Sequence, residues 1–147
     1  MKLLFDASAL LNIVRMLGEK SLPYIKGSYA LSLTPYEIGN ALWKEATLLN
    51  RISLKEATQL LSAIDYLLKY LNIVEPRDKG LALEVAHNLD ITYYDASYII
   101  AACELGAELV TDDNKLRKRV EEGRETLRKI LGREVALRTS TGIMQIL

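Results

Sequence analysis

Four acidic residues lie at positions where an alternating strand and helix chain often places its chemistry. Asp6 follows an apolar run, Glu37 and Asp95 each fall in the first turn of a predicted helix, and Asp113 follows a short predicted strand with Asp112 beside it. If these carboxylates meet in a partly desolvated cleft, protonation or a bound cation must relieve their repulsion. Oxygen ligands without His or Cys suit a hard cation, so the candidate cofactor is Mg²⁺ or Mn²⁺.

Each acid also has a structural interpretation, because helix N-termini attract carboxylates. Thr34–Glu37 has the form of a capping box with proline at the first helical position. Asp95 follows Thr92 by three residues, and Asp113 could simply cap the next helix. Asp6 is the hardest to explain in this way, because an unpaired carboxylate at the end of a central strand is costly. Hydrogen bonds from nearby N–H groups alone are its structural alternative.

The single histidine and the single cysteine exclude several other chemistries. His87 alone cannot supply the paired imidazoles of a typical catalytic zinc site or of a histidine-pair nuclease, and Cys103 has no partner for an intrachain disulfide. We expect His87 to be structural or exposed.

The elements that must position the acids alternate between strand and helix. Helices of ten or more residues between strands favour right-handed crossovers and a parallel sheet. We therefore predict an α/β fold, a three-layer α/β/α sandwich with a mostly parallel central sheet, as a single domain over residues 1–147. Strands are predicted at residues 2–6, 29–33, 71–75, 108–111 and 134–138, and helices begin near Ala9, Thr34, Ser53, Asp78, Thr92 and Asn114.

Composition limits the classes of function. Half of the 147 residues are apolar, enough for one core, and no apolar stretch approaches the roughly 20 residues of a membrane-crossing helix. We expect a cytoplasmic protein without a membrane partner, because Asp6 interrupts the first apolar run before a signal peptide could develop. Nineteen basic residues balance nineteen acidic ones, so nucleic acid must be bound locally. The basic stretch 113–133 is a candidate, although a solvated helix face explains it equally well.

Four segments of the chain resemble, in order and spacing, the motifs of the PIN-domain family. They are Phe5–Leu10, Thr34–Asn40, Thr92–Ala96 and Leu109–Asp113. The similarity spans residues 2–120 and is greatest to the small prokaryotic VapC-type toxins. It implies cleavage of RNA that depends on Mg²⁺ or Mn²⁺, a homodimer, and inhibition by a separate antitoxin protein.

The resemblance also implies roles for particular residues. Asp112 is an alternative to Asp113 as the last metal ligand. The positions that match the family are the metal-binding and catalytic acids Asp6, Glu37, Asp95 and Asp113, the supporting hydroxyls of Ser8 and Thr111, and the polar residue Asn40 one turn beyond the glutamate.

The mechanism that we infer is hydrolysis of a phosphodiester bond, with one or two ions activating water and stabilising the charge that develops on the phosphate oxygens. Candidate cations for the other RNA phosphates are Arg15, Lys115, Arg117 and Lys118. A PIN-like scaffold that binds RNA or protein without cleaving is one alternative, and an RNA-processing nuclease without an antitoxin is another. A phosphotransfer domain with Asp6 as nucleophile fits less well, because Ser8 stands where a second aspartate is expected.

Two regions have no chemical assignment from the sequence. The helix that begins at Ser53 carries an apolar stripe wider than one core face requires, and Trp43 and Leu48 lie on the preceding helix. These side chains either pack in the core or form a homodimer or antitoxin interface. The tail 134–147 matches no family motif.

Overall fold

The structure is a computed structural model that describes residues 1–146, and its described part contains one sheet of five parallel strands. The order of the strands across the sheet is third, second, first, fourth, fifth. In chain order they are β1 (Leu3–Phe5), β2 (Tyr29–Leu31), β3 (Asn72–Val74), β4 (Glu108–Val110) and β5 (Leu137–Arg138).

Helices connect the strands and cover both faces of the sheet. A 3₁₀ turn at Gly18–Ser21 follows the first helix, and a π-helical turn at Lys44–Leu48 follows the third. The α-helices are α1 (Ala7–Leu17), α2 (Leu22–Ile25), α3 (Thr34–Trp43), α4 (Leu54–Leu68), α5 (Lys79–Leu89), α6 (Tyr93–Leu105), α7 (Asn114–Glu122), α8 (Arg124–Leu131) and α9 (Ser140–Ile146).

Alternating side chains of the strands supply two separate cores. Leu4 and Leu109 pack against α5, α6, α7 and α8 on one face, whereas Phe5 and Val110 pack against α1, α3 and α4 on the other. This division follows from the two-residue period of a strand, which sends neighbouring side chains to opposite faces. The result is three layers, α/β/α, as the alternation of strand and helix in the sequence predicts.

The positions of the predicted elements are confirmed with small changes at their ends. Each predicted strand is present but shorter, and the sheet is parallel throughout its described strands. The predicted long helix from Thr34 ends at Trp43 and continues only as the π-helical turn. The basic stretch divides at Gly123 into α7 and α8. A Cβ at Gly123 would meet the Leu89 side chain of α5 at 2.9 Å, so a larger residue there would require a shift.

The tail forms β5 and then α9, which packs on α1 through the fully buried Ile143. Its last predicted apolar residue, Leu147, lies outside the described residues. Among the helices of residues 1–146, none combines the length and the apolar character that crossing a membrane requires.

Candidate active site

The carboxyl ends of β1 and β4 meet at the centre of the sheet. The two strands pair in parallel with Phe5 opposite Val110, and the Asp6 amide continues the pairing with a 3.0 Å hydrogen bond to the Val110 carbonyl. The connection from β1 leads to β2 on one side, whereas β4 pairs with β1 on the other side, so the order of the strands reverses at this point. In open parallel sheets this switch point forms a crevice in which ligands bind. Asp6 and Asp113 follow the two strands that flank it.

Asp6 is a buried carboxylate that also caps α1. Its side chain is only 5% exposed, and its Oδ1 accepts hydrogen bonds from Ser8 Oγ at 2.7 Å and from the Ala9 amide at 2.9 Å. Burial raises the pKa of the Asp6 carboxyl from 3.8 to about 6, against hydrogen bonds from Thr111, Ala9 and Ser8, and the charge of Asp95 adds to the increase. The hydrogen bonds of the structural alternative are therefore present but do not offset the cost of burying the charge.

Glu37 is held by a tyrosine that the sequence analysis did not select. Tyr98 Oη donates a 2.6 Å hydrogen bond to Glu37 Oε1. Burial raises the pKa of the Glu37 carboxyl, the hydrogen bond from Tyr98 opposes this shift, and the charges of Asp95 and Asp6 increase it. Glu37 is thus electrostatically linked to two of the other predicted acids.

The capping box predicted at Thr34–Glu37 is wrong. Helix α3 has Leu33 at its N-cap, with no capping hydrogen bond from that side chain. Thr34 Oγ1 instead accepts from the Leu31 amide at 3.1 Å and lies 2.7 Å from Tyr98 Oη. The Thr34 hydroxyl and the Glu37 carboxylate therefore both bind Tyr98, which is distant in the sequence, instead of capping α3. A complete capping box occurs instead at the start of α4, where Ser53 and Glu56 form both reciprocal hydrogen bonds.

Asp95 lies in the first turn of α6, where Thr92 is the N-cap and accepts from the Asp95 amide at 3.0 Å. Burial raises the pKa of the Asp95 carboxyl, and the charge of Asp113 raises it further. A hydrogen bond with Thr92 and the charge of Lys115 oppose these effects. The predicted cap at Thr92 is confirmed, and Asp95 occupies the first turn of the helix, as the structural interpretation also predicts.

Asp113 caps α7, as the structural interpretation predicted, and also faces Asp95. Its Oδ1 accepts from the amides of Lys115 at 2.9 Å and Leu116 at 3.1 Å. Asp113 and Asp95 line the same cavity of about 280 Å³, together with Lys115 and Arg119. A helix cap with an open cavity before it can serve both a structural role and a binding role.

Asp112 points to different partners from those of Asp113. Its carboxylate accepts from Asn12 Nδ2 at 2.8 Å, from the Ser140 amide at 2.8 Å and from Ser140 Oγ. Ser140 is buried at the start of α9. Asp112 therefore holds the tail to the end of β4, and of the two neighbouring acids it is Asp113 that joins the others. We call the set Asp6, Glu37, Asp95 and Asp113 the acidic edge.

The predicted supporting hydroxyls connect β1 to β4. Ser8 Oγ donates to Asp6 and accepts from the Asp112 amide at 3.0 Å, and Thr111 Oγ1 accepts from the Asp113 amide at 3.1 Å. Asn40 is exposed on α3, one turn after Glu37. The two hydroxyls thus fix the loop that carries Asp113 relative to Asp6.

The four predicted phosphate-binding cations lie in different surroundings. Lys115 lines the cavity with Asp95. Arg15 forms two hydrogen bonds with Glu45, at 2.6 and 2.9 Å, and borders a separate cavity beside Asp112. Arg117 donates to the Thr111 carbonyl at 3.5 Å, and the exposed Lys118 pairs with Glu122 at 3.9 Å. Arg119, which the sequence analysis did not select, joins Lys115 in the cavity because the two are one helical turn apart.

The acidic edge has the donor chemistry of a site for a hard divalent cation. Within residues 1–146, no three acidic, His or Cys side chains stand as a ready-made ligand set around one point. The charges of other acids in the set nevertheless raise the pKa values of Asp6, Glu37 and Asp95, and all four carboxylates offer only oxygen, the donor that Mg²⁺ and Mn²⁺ prefer. The residues therefore fit a hydrated ion held by a few carboxylates.

The single histidine and the single cysteine lie outside the acidic edge. His87 is exposed on α5, as expected, and Cys103 is half-buried on α6.

Tyr98 could have been identified from the sequence, because a buried tyrosine among the apolar residues of α6 needs a hydrogen-bond partner for its hydroxyl.

The apolar stripe on α4 divides between core and surface. Ile64 and Leu67 are buried, whereas Leu61 is 42% exposed, and Trp43 and Leu48 are 51% and 57% exposed. A cavity of about 300 Å³ lies between α3 and α4, lined in part by Pro35 and Leu61. The core interpretation is therefore correct for the inner residues, and the outer ones form an exposed apolar surface.

Comparison with known proteins identifies relatives over most of the chain. No protein-family model matches. Exonuclease VapC9 of Pyrobaculum aerophilum is 37% identical over 113 residues, which are 77% of this chain and 81% of that protein. Ribonuclease VapC3 of the same organism is 29% identical over 127 residues, 81% of this chain and 95% of that one. The crystal structure of PAE2754 from Pyrobaculum aerophilum matches with a TM-score of 0.73 and 30% identity, covering 99% of this chain and 89% of that chain.

Proposed function

This chain belongs to the VapC family of PIN-domain nucleases, and we propose that it is an endoribonuclease that depends on Mg²⁺ or Mn²⁺. The observation that carries the proposal is the acidic edge. Four carboxylates from four separate segments lie near the switch point of the sheet, and like charges within the set disfavour the ionised forms of Asp6, Glu37 and Asp95. Capping of α1 and α7 accounts for Asp6 and Asp113 singly, but the repulsion within the set lowers the stability of the fold, and a bound cation would relieve it.

Asp6, Glu37, Asp95 and Asp113 are the residues that would hold the metal. A divalent ion at this edge supplies Lewis acidity, which eases deprotonation of water and stabilises charge on the phosphate oxygens. The chain itself orients the donors. Ser8 and the Ala9 amide fix Asp6 through its Oδ1, and the amides of α7 fix Asp113 through its Oδ1.

Lys115 has the position of a substrate-binding cation. It borders the same cavity as Asp95 and Asp113, so an RNA phosphate that reaches the acidic edge passes its ammonium group. Its positive charge also offsets part of the repulsion between the acids and the anionic substrate. Arg15 has a weaker case, because Glu45 already pairs with its guanidinium.

An RNA cleavage assay tests the enzyme assignment. Linear and circular RNA of the same sequence are incubated with the full chain in Mg²⁺, in Mn²⁺ and in EDTA. We expect both RNAs to be cut with either metal and neither to be cut in EDTA. Cleavage of the linear RNA alone would replace the endonuclease proposal with an exonuclease, which cannot open a circle.

Matched variants show whether the activity belongs to this chain. Asp95→Asn removes one charge from the acidic edge, whereas Glu84→Gln removes one from the exposed face of α5. We expect loss of cleavage in the first variant and wild-type cleavage in the second. Equal activity in both would contradict the proposed site.

We also propose that the protein is the toxin of a toxin–antitoxin pair and forms a homodimer. The family membership and the exposed apolar surface of Trp43, Leu48 and Leu61 support this assignment. Sedimentation should give a dimer at micromolar concentration. A short neighbouring reading frame for a DNA-binding protein, whose product abolishes RNA cleavage when added, would support the toxin role. A strict monomer that no such product inhibits would favour an RNA-processing nuclease.

A non-cleaving PIN-like scaffold is the second candidate, and one observation favours it. The acidic side chains of residues 1–146 do not form a ready-made metal site. The scaffold predicts RNA binding without cleavage and no Mn²⁺ binding at millimolar concentration, so the same preparations distinguish the two functions.

A further inference from the structure

A buried series of hydrogen bonds ends on the Glu37 carboxylate. The Leu31 amide donates to Thr34 Oγ1 at 3.1 Å, Thr34 Oγ1 lies 2.7 Å from Tyr98 Oη, and Tyr98 Oη donates to Glu37 Oε1 at 2.6 Å. Thr34 is fully buried and Tyr98 is 1% exposed. These bonds are therefore shielded from competition with water, which strengthens them.

The inventory of protons fixes the direction of the series. Tyr98 has one hydroxyl proton and donates it to Glu37, so its oxygen accepts from Thr34. Thr34 in turn donates its single proton to Tyr98 and accepts from the Leu31 amide. Every hydroxyl thus donates once toward the carboxylate. The arrangement is complete only when an acceptor stands at the position of Glu37 Oε1.

Tyr98 also connects two elements that carry the acidic edge. It lies on α6 one turn after Asp95, while Glu37 lies on α3 one turn after Thr34. A single phenol group therefore sets the position of the Glu37 carboxylate relative to the helix that carries Asp95. Side chains that hold metal ligands in this way govern affinity, although they do not touch the ion.

We propose that Tyr98 is a positioning residue that fixes the Glu37 carboxylate for divalent metal binding, with Thr34 as its support. The inference rests on the proposed function and assigns to this tyrosine a role beyond filling the core. A purely structural tyrosine would affect stability alone. A positioning residue affects metal affinity, and does so only through Glu37.

A double-mutant cycle on Mn²⁺ affinity tests the proposal. The full-length wild type, Tyr98→Phe, Glu37→Gln and the double variant are titrated with MnCl₂ by calorimetry, and melting in EDTA verifies that each is folded. We expect Tyr98→Phe to weaken Mn²⁺ binding about tenfold, the low end for loss of a group that supports a ligand. In the Glu37→Gln background the same change should have no effect, because the carboxylate that Tyr98 positions is gone.

Two further variants complete the design. Tyr94→Phe removes a hydroxyl from a tyrosine on the same helix that is 60% exposed, and it should leave Mn²⁺ affinity unchanged. Thr34→Val keeps the shape of the side chain but cannot donate to Tyr98, so it should weaken Mn²⁺ binding by a smaller factor. It also keeps the proposal testable if Tyr98→Phe does not fold.

The outcomes separate this proposal from the proposed function. Wild-type Mn²⁺ affinity in Tyr98→Phe, or an equal loss of affinity with and without Glu37, would overturn the role of Tyr98 and leave the metal site intact. No Mn²⁺ binding by the wild type would overturn both.

Discussion

Asp112 and Asp113 are adjacent in the chain after β4, yet their carboxylates have different surroundings. The Asp112 carboxylate accepts three hydrogen bonds, from Asn12 and from the amide and hydroxyl of Ser140. Asp113 faces a cavity and raises the pKa of another carboxyl, that of Asp95. Donors from three directions occupy the Asp112 carboxylate, whereas the Asp113 carboxylate, although it caps α7, borders a cavity and lies near the like charge of Asp95.

We interpret this difference as that between a structural acid and a candidate metal ligand. Donors around Asp112 stabilise its charge and join the tail to the sheet, so its environment is complete without a ligand. The acidic edge instead brings together carboxylates whose like charges raise the pKa values of Asp6, Glu37 and Asp95. Substitution of one acid at a time should therefore affect either catalysis or stability, according to the surroundings of that acid.

The largest expected effect is on catalysis. Asp113→Asn should lower metal-dependent RNA cleavage by about a thousandfold, because it removes a donor from the metal site. Asp112→Asn, one residue away, should retain activity within about threefold of the wild type. Initial rates at saturating Mg²⁺ provide the comparison, and equal losses in the two variants would contradict it.

A smaller effect is expected on stability through Asp6. Its pKa of about 6 in the folded protein exceeds the ordinary 3.8, so the folded state binds the proton more tightly. The contribution of Asp6 to stability is then fully present below pH 3.8 and is lost as the pH rises through 6. Between low pH and neutral pH, the contribution of Asp6 to the free energy of unfolding falls by at most about 3 kcal/mol.

Asp6→Asn should therefore stabilise the metal-free protein at pH 7.5 relative to the wild type, since asparagine is also a good N-cap. At pH 4 the two proteins should have similar stability. Urea denaturation in EDTA at both pH values measures the difference. A variant less stable than the wild type at pH 7.5 would mean that the charge of Asp6 is compensated by its hydrogen bonds.

The smallest expected effect is on the attachment of the tail. Asp112→Asn should destabilise the protein by about 1–2 kcal/mol, because an amide cannot accept from all three donors that surround the carboxylate. Ser140→Ala should cost about 1 kcal/mol through loss of one hydrogen bond. Thermal melting of the metal-free variants measures both, and Mn²⁺ affinity should not change in either.

The fold could be predicted because its signals are local. Apolar runs followed by helical spacing predicted β1 with α1 and β2 with α3, and Thr92 marked the start of α6 correctly. These patterns act over a few residues, and tertiary contacts in this protein reinforce them.

The site was only partly predictable because its partners are distant in the sequence. Whether Asp112 or Asp113 faces the other acids depends on Ser140, 28 residues after Asp112. The capping box at Thr34 failed because Tyr98, 64 residues away, binds the threonine hydroxyl. Local rules rank such alternatives by propensity, whereas tertiary hydrogen bonds of buried groups decide between them.

Calorimetric titration of the metal-free protein with MnCl₂ at pH 7.5 distinguishes a cation site at the acidic edge from a set of structural acids. We expect saturable binding by the wild type, affinity within about twofold of it for Asp112→Asn, and a loss of at least about tenfold for Asp113→Asn. No binding at millimolar Mn²⁺, or equal losses in the two neighbouring variants, would contradict the assignment of the acidic edge as a cation site.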